Sequence, residues 1–258
     1  MFRGLYTAWT GMANEQKRLD VISNNMANSN TVGYKDEKVA SQAFDQVLGI
    51  KIRDGSQAYH NECIGSLSLG VKIGETYPDY SQGSVRQTGG TYDLALSGSG
   101  FFTVSVTDKA GEVHTRYTRD GRFHLTKDGL LVDADGNAVQ GQNGNITIDP
   151  SSKNVSISAT GQITADGELV DTLNIVDFED YDYLKKYGDT MYEPVDGATT
   201  KDAEGEILQG YTEQSNVNVV REMVDMITIT RAYEASQKVI HSYDSMLDKS
   251  VNQVGALK

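Results

Sequence analysis

The stretch VVREMVDMITITRAYEASQKVIHSYDSMLDKSVNQV, residues 219–254, decides the fold of this chain. Within it, apolar or aromatic residues recur at every seventh position: Val219, Met226, Tyr233, Ile240, Leu247 and Val254. Seven residues exceed two turns of an α-helix only slightly, so the series stays on one face and can form the seam of a supercoil. At about 1.5 Å per residue, a helix over this stretch would be roughly 50 Å long. It would contain far more residues than the ~10–14 of the usual helix in a globular domain. We therefore predict one long C-terminal helix.

A second series with the same period opens the chain and predicts an N-terminal helix over residues 3–28. Residues 28–33 then favour turns, because Asn, Ser and Gly bond their own backbone or accept a positive φ. An amphipathic core helix of an ordinary domain remains the alternative for both series. If the two series instead form seams between helices of neighbouring subunits, the expected subunit-interface residues are those of the seams: Leu5, Met12, Leu19, Met26, Val219, Met226, Tyr233, Ile240, Leu247 and Val254.

The C-terminal seam is impure. Polar residues occupy what we take as its alternate positions, Thr230, Gln237 and Asp244. Other apolar residues widen the face sideways, namely Val220, Val224, Ile227 and Val239. A simple two-stranded zipper would not show this pattern. A broad apolar face suits a helix that contacts several neighbours, and a lone monomer would leave part of it exposed.

Residues 36–214 differ in composition from the two ends. They hold all three prolines, most glycines and repeated Asp-Gly pairs flanked by Val, Ile, Leu and Tyr, which is typical of hairpins and short strands. We predict an α+β fold with four segments: an N-terminal helix at 1–35, an extended and partly β connector at 36–87, a β-rich domain at 88–214 and a C-terminal helix at 215–258.

The charge distribution limits the partners. The net charge is −13, and the excess of acidic residues lies in the middle of the chain, since both ends are nearly neutral. Nucleic acid is not expected as a partner, because no basic stripe is present. Cys63 is the sole cysteine, so no disulfide can form within one chain. No apolar run approaches the ~20 residues of a membrane span, and the first residues lack the apolar core of a cleaved secretory signal.

Candidate chemical motifs are weak. Asp133, Asp135 and Asn137 alternate as calcium ligands do, but Ala138 and Gly144 stand where the loop needs Gly and Glu, so an Asp-Gly turn explains them better. Gly98-Ser99-Gly100 precedes a β pattern instead of the helix that a dinucleotide fingerprint requires. We find no catalytic constellation and expect no enzyme activity, no catalytic or metal residues and no cofactor.

The segment SNNMANSNTVGYK, residues 23–35, resembles the N-terminal motif of bacterial flagellar rod and hook proteins. Paired asparagines, Ala-Asn, Thr-x-Gly-aromatic and a basic residue occur in order. The motif residues are Asn24, Asn25, Ala27, Asn28, Thr31, Gly33, Tyr34 and Lys35. Further blocks resemble the same family at residues 82–102, 117–123 and 209–234, so the likeness samples nearly the whole chain.

Within that family, residues 209–219 and 231–234 are most similar to the distal rod members, while proximal rod or hook-type paralogues remain alternatives. The resemblance implies that both termini pair as a coiled-coil-like inner domain and that the middle forms an outer β domain. It further implies a self-assembling axial subunit of the basal body that transmits torque from motor to hook. The implied partners are copies of itself, other rod proteins, hook protein, the flagellar type III export apparatus and a surrounding bushing ring, with no direct membrane insertion.

The asparagines of the motif have two interpretations. Asn28 and Asn30 are better explained as residues that end the first helix. Asn24 and Asn25 lie inside the helix, where their side-chain amides favour a bridge between subunits. A rival function from another class is a β-domain binding module that its terminal helices merely dimerise.

Overall fold

The computed structural model describes residues 2–51, 62–108 and 111–254, with the backbone alone given for residues 2, 50–51, 62–64 and 253–254. The chain divides into two compact units, which are described separately. The first unit contains Met1–Met26, Glu37–Asp79 and Asn218–Lys258. The second unit contains Ala27–Asp36 and Tyr80–Val217. The predicted α+β class is confirmed, with a β-rich body and one helix near each terminus.

Two helices dominate the first unit. Helix α1 spans Phe2–Ala27 and helix α2 spans Val219–Lys249, followed by a π-helical turn at Ser250–Val254. Asn218 caps α2, because its side-chain oxygen accepts a hydrogen bond from the Arg221 amide at 3.2 Å and so satisfies one of the free donors of the first turn. No helix in the described ranges has the length and apolarity that crossing a membrane requires.

The two helices contact each other at glycines of α1. A Cβ atom at Gly4 would lie 2.7 Å from Cζ of Tyr243, and one at Gly11 would lie 3.8 Å from Oγ of Ser236. Because residue numbers rise along α1 as they fall along α2, the helices run antiparallel. The seam residues with described side chains are all half-buried, namely Leu5, Met12, Leu19, Met26, Val219, Met226, Tyr233, Ile240 and Leu247. The side chain of Val254 lies outside the described part.

The predicted alternate positions of the α2 seam are wrong. Thr230, Gln237 and Asp244 are exposed. The covered positions instead lie three residues after each seam residue, and they are Glu222, Ile229, Ser236 and Tyr243. The error has a physical cause: a seam alternates steps of three and four residues, and the order of those steps cannot be told from one apolar series alone.

A β-ribbon completes the first unit. Strand β1 (Glu37–Ala43) pairs antiparallel with β4 (Val71–Pro78), and β2 (Val47–Lys51) pairs antiparallel with β3 (Glu62–Leu67). The ribbon contacts polar residues of α1: Thr7 donates to the carbonyl oxygen of Leu69 at 3.0 Å, and Ser41 donates to Oδ1 of Asn14 at 3.0 Å. The predicted connector therefore contains regular strands.

The second unit is built from short strands around an apolar core. The strands are β5 (Val85–Gln87), β6 (Leu94–Ser97), β7 (Phe101–Thr107), β8 (Val113–Thr118), β9 (His124–Leu125), β10 (Leu131–Val132), β11 (Ala138–Gly141), β12 (Gly144–Asn145), β13 (Val155–Ile157), β14 (Gln162–Ala165), β15 (Glu168–Thr172), β16 (Ile175–Phe178), β17 (Leu184–Tyr187), β18 (Met191–Pro194), β19 (Thr200–Asp202), β20 (Glu206–Gln209) and β21 (Tyr211–Glu213). The main sheet has the order β17-β18-β8-β7-β11-β10-β9, and every registered strand pair within it is antiparallel. Strand β7 lies at the centre, and Phe102 and Val104 on it are fully buried.

Two loops of this unit explain motifs that the sequence left open. The Asp133 carboxylate accepts hydrogen bonds from the amides of Asp135 at 2.9 Å and Asn137 at 2.8 Å. Gly136 has φ +89°, so the segment forms the expected Asp-Gly turn. Gly98 and Gly100 have φ +114° and +123° between β6 and β7, which makes Gly98-Ser99-Gly100 the predicted turn into a strand.

Candidate functional site

The family-like motif begins in the last turns of α1. Asn24 is exposed, whereas Asn25 is only 1% exposed. The Asn25 side chain donates from Nδ2 to the carbonyl oxygen of Glu37 at 2.9 Å, and its Oδ1 accepts from the Glu37 amide at 3.1 Å. The NH2 group and the oxygen of the Asn25 side-chain amide therefore both bond the backbone of Glu37, the first residue of β1. The predicted bridge between subunits is wrong for Asn25, because its amide is used within the chain, and it stays a prediction for Asn24.

Replacing Asn25 tests this internal role. We expect Asn25→Ala to destabilise the first unit by about 1–3 kcal/mol, because the two hydrogen bonds between the buried Asn25 side chain and the Glu37 backbone are lost. Asn24→Ala, one residue away and exposed, is the matched control and should destabilise the unit less than Asn25→Ala does, because exposed substitutions cost less than buried ones. Thermal unfolding followed by helical circular dichroism measures both. Equal losses for the two variants would contradict the assignment.

The next residues of the motif form a turn. Oδ1 of Asn28 accepts a hydrogen bond from the Thr31 hydroxyl at 3.1 Å, and the Thr31 amide donates to the Asn28 carbonyl oxygen at 3.1 Å. These bonds directly follow the last residue of α1, which supports the helix-ending role predicted for Asn28. The same predicted role for Asn30 stays a prediction.

Lys35, the basic end of the motif, lies in a buried charge network. The network consists of Lys35, Glu213 and Arg119, which are 1%, 0% and 4% exposed. Nζ of Lys35 donates to Oε1 of Glu213 at 2.6 Å, and Nη1 of Arg119 donates to Oε2 at 3.3 Å. One carboxylate thus compensates two buried cations. Such an arrangement tolerates no loss of the acid, since an unpaired buried charge is costly.

Backbone groups complete this network. Nζ of Lys35 also donates to the carbonyl oxygen of Ser81 at 2.9 Å, and Oε1 of Glu213 accepts from the Gly83 amide at 2.9 Å. Nη2 of Arg119 donates to the carbonyl oxygen of Gly98 at 2.9 Å. Segments that are far apart in sequence are therefore held at one point of the second unit.

At Gly33 the backbone of the motif lies directly against the chain segments that carry Glu213 and Arg119. The Gly33 amide donates to the Glu213 carbonyl oxygen at 2.9 Å, and the residue has φ +71°. A Cβ atom there would lie 2.6 Å from the carbonyl carbon of Arg119 and 2.7 Å from Cα of Asp120. Tyr34, fully buried, has its ring 4.3 Å from Nζ of Lys186. Only glycine fits position 33, because both the backbone conformation and the space exclude a side chain.

An aromatic cluster lies beneath the charge network. The Arg119 guanidinium is 5.3 Å from the centre of the Phe101 ring, within the range of a cation–π contact. The rings of Phe101 and Tyr181 pack edge to face, with 6.0 Å between their centres. The Tyr181 hydroxyl donates a hydrogen bond to Oδ1 of Asp177 at 2.7 Å. Burial and this hydrogen bond to Asp177 raise the pKa of Tyr181 to about 12. The Tyr181 hydroxyl therefore stays protonated at neutral pH, and the aromatic rings pack against the Arg119 side of the network.

All four sequence blocks that carried the family resemblance meet in this network, the block at 82–102 through the backbone of Gly83 and Gly98. The sequence marked Lys35 within the first block, but it did not indicate that Glu213 and Arg119 are its partners. A signal was present, since Glu213 and Arg119 lie inside the blocks at 209–234 and 117–123. What the arrangement can do is mechanical: the carboxylate and the cations bond one another and the backbone, so they join chain segments.

A second surface was only partly indicated by the sequence. Val220, Met223, Val224 and Ile227 stand at i, i+3, i+4 and i+7 of α2 and are 49–73% exposed. Residues at this spacing share one helix face. We call these four residues the exposed α2 stripe. The sequence had marked three of them as widening the seam, whereas the structure leaves them outside it.

Models of known families match the three parts of the chain that bear these features. "Flagella basal body rod protein" matches residues 5–35, "Flagellar hook protein FlgE/F/G D1 domain" matches 95–165, and "Flagellar basal body rod FlgEFG protein C-terminal" matches 208–254. The buried charge network and the exposed α2 stripe draw their residues from these regions or their borders. The fold and the matches define a class: axial proteins of the flagellar hook and basal body.

Individual relatives narrow this class. The chain is 34% identical over 276 residues to the flagellar basal-body rod protein FlgG of Bacillus subtilis, covering 98% of this chain and 99% of the relative. It is 36% identical to FlgG of Caulobacter vibrioides, covering 95% and 97%, and 32% identical to the rod protein FlgF of that organism over the full length of both. The chain belongs to the flagellar basal-body rod protein family, close to FlgG. It is a structural subunit of the flagellar rod and is located in the basal body.

Proposed function

We propose that this chain is a distal rod subunit whose copies assemble helically, through their terminal helices, into a hollow shaft that carries torque from motor to hook. The observation that supports this most is the exposed α2 stripe. It stays open in a single chain although the seam beside it is half-buried. Apolar patches of this kind mark sites of protein association.

A second copy of the chain is the occupant that best fits the stripe. The charged residues between its members are Arg221, Glu222 and Asp225. Glu222 is buried, whereas Arg221 and Asp225 are exposed and opposite in charge, so two copies can meet there without net repulsion. The chain as a whole carries −13, which would oppose contact through most other surfaces. Burying each stripe side chain should stabilise assembly by roughly 1.5–3 kcal/mol.

The β-ribbon of the first unit offers further surface of the same kind. Val47, Leu48 and Leu67 on paired strands β2 and β3 are 52–62% exposed. Isolated two-stranded ribbons are marginally stable in water, so covering these residues would stabilise the ribbon as well as the assembly. Torque would then pass as shear through many small close-packed contacts.

The remaining expectations belong to the same proposal. The seam residues Leu5, Met12, Leu19, Met26, Val219, Met226, Tyr233, Ile240, Leu247 and Val254 form a coiled-coil-like pairing of α1 with α2 and, along its flanks, contact neighbouring copies. The partners are other rod proteins and hook protein, with export by the flagellar type III apparatus and a bushing ring around the shaft. The role is structural and not enzymatic.

A charge placed in the stripe tests assembly. We expect Val220→Asp to raise the critical concentration for polymerisation at least about tenfold, because a carboxylate would be buried at an apolar contact. Val113→Asp is the matched control: Val113 is 64% exposed, close to the 73% of Val220, but lies on β8 of the second unit. Sedimentation of the purified protein over a concentration series measures the polymer fraction.

The sole tryptophan gives an independent readout. Trp9 lies on α1 and is 54% exposed, so its emission should shift to shorter wavelength when neighbouring copies cover the terminal helices. Val220→Asp should abolish that shift, and Val113→Asp should preserve it. Polymerisation of Val220→Asp at the parental concentration would overturn the proposed role of the stripe.

A further inference from the structure

The two apolar series leave the alignment of the terminal helices underdetermined. Both repeat every seventh residue with similar side chains, so sliding one helix past the other by seven residues would again bring apolar residues together. Repeats of this kind need a distinct feature to specify one register. The contact between Gly4 and Tyr243 is such a feature.

Gly4 leaves a notch on α1 that the Tyr243 ring occupies. Cζ and Cε2 of Tyr243 would lie 2.7 Å and 3.1 Å from a Cβ atom at position 4, and the hydroxyl oxygen would lie closer still. Distances of 3.4–4 Å are ordinary van der Waals contact. Even one methyl group at Gly4 would therefore displace the ring. Tyr243 is half-buried, which fits a side chain seated against the neighbouring helix.

Gly11 provides a built-in comparison within the same helix. A Cβ atom there would lie 3.8 Å from Oγ of Ser236, an ordinary contact that leaves room for a methyl group. Gly4 and Gly11 are one heptad apart and both face α2, but only Gly4 requires the absence of a side chain. The difference separates the steric role of Gly4 from any general effect of glycine in a helix.

We infer that Tyr243 in the Gly4 notch sets the axial register between the two terminal helices. This inference rests on the proposed function, because the register decides where the exposed α2 stripe lies relative to the exposed aromatic residues of α1, Tyr6 and Trp9. A shifted register would change the surface that one copy presents to the next. Gly4 and Tyr243 are thus positioning residues for assembly.

Cysteine pairs measure the register directly in unassembled full-length protein in which Cys63→Ser removes the natural thiol. The pair Gly11→Cys and Ser236→Cys should form an internal disulfide under mild oxidation. The pair Arg18→Cys and Ser236→Cys meets only after a slip of seven residues and should not. Adding Gly4→Ala should lower the yield of the first disulfide at least about fivefold. Mass spectrometry and non-reducing gels quantify both products.

Polymerisation provides the second readout, measured without engineered cysteines. Gly4→Ala should raise the critical concentration about tenfold, as overpacking of a tight contact does. Gly11→Ala adds the same methyl group and should leave it unchanged or lower it, since alanine favours the helix. Tyr243→Phe keeps the ring and should behave as the parent protein.

The outcomes separate this inference from the proposed function. Equal disulfide yields with and without Gly4→Ala, or a disulfide between two copies in place of an internal one, would overturn the register role. Equal effects of Gly4→Ala and Gly11→Ala on polymerisation would overturn it too. Failure of the parent protein to polymerise under any condition would instead count against the proposed function.

Discussion

Replacing Glu213 by glutamine should destabilise the second unit by about 3–5 kcal/mol, since the buried cations Lys35 and Arg119 would lose the carboxylate with which both are paired. Both cations are less than 5% exposed, and they pair with this acid at 2.6 and 3.3 Å. Folding removes both cations from water, and the attraction to Glu213 offsets that cost. Removing the acid therefore destabilises the protein much more than breaking an exposed ion pair does. Urea unfolding followed by near-ultraviolet circular dichroism of the tyrosines measures the effect.

The chain contains a matched control for this substitution. Lys38 and Asp79 also form a lysine–carboxylate pair at 2.6 Å, but their side chains are 46% and 33% exposed. Asp79→Asn should therefore cost about 0–1 kcal/mol. A loss for Glu213→Gln no greater than that for Asp79→Asn would show that the buried network does not hold the unit together.

Gly33→Ala should lower the free energy of unfolding of the second unit by about 3 kcal/mol. The urea unfolding experiment described for Glu213→Gln measures this loss. Gly33 has φ +71°, which costs an L-amino acid roughly 1–2 kcal/mol. The new methyl group would also overlap the backbone of Arg119 and Asp120, which cannot move aside as a flexible side chain can. Overpacking of this kind adds roughly 1–3 kcal/mol.

Gly188 separates the two contributions. Its φ is +68°, nearly that of Gly33, yet nothing in the described part of the chain lies within 4 Å of a Cβ atom at that position. Gly188→Ala should therefore show the conformational cost alone, about 1–2 kcal/mol. If Gly33→Ala costs the same as Gly188→Ala, the close approach of the motif to residues 119–120 is not important for stability.

The fold class was readable from the sequence because two periodicities differ so strongly. The seven-residue apolar series placed α1 within one residue of its observed bounds, and it placed the start of α2 at Val219. Asp-Gly turns and β-branched runs indicated the β-rich middle. The region at 36–87 was harder, because alternation is weak in a ribbon whose faces are both largely exposed.

The candidate sites were less predictable, for a different reason. Asn25 is buried because the chain turns back after α1 and brings Glu37 to it, and Lys35 is buried because it meets Glu213, which is distant in sequence. The period of the apolar residues contains no information on either contact. The bridge expected for Asn25 failed because a polar residue inside a helix can bond the returning chain as well as a neighbouring molecule. Likewise, the step order of the α2 seam required the position of α1, which the Gly4 and Gly11 contacts supply.

The measurement that tests the central claim most directly is electron cryomicroscopy of the polymer formed by the purified full-length protein. The account predicts a hollow helical tube in which the exposed α2 stripe, residues 220–227, packs against a neighbouring copy. A tube in which that stripe faces solvent, or a protein that remains monomeric at high concentration, would contradict it.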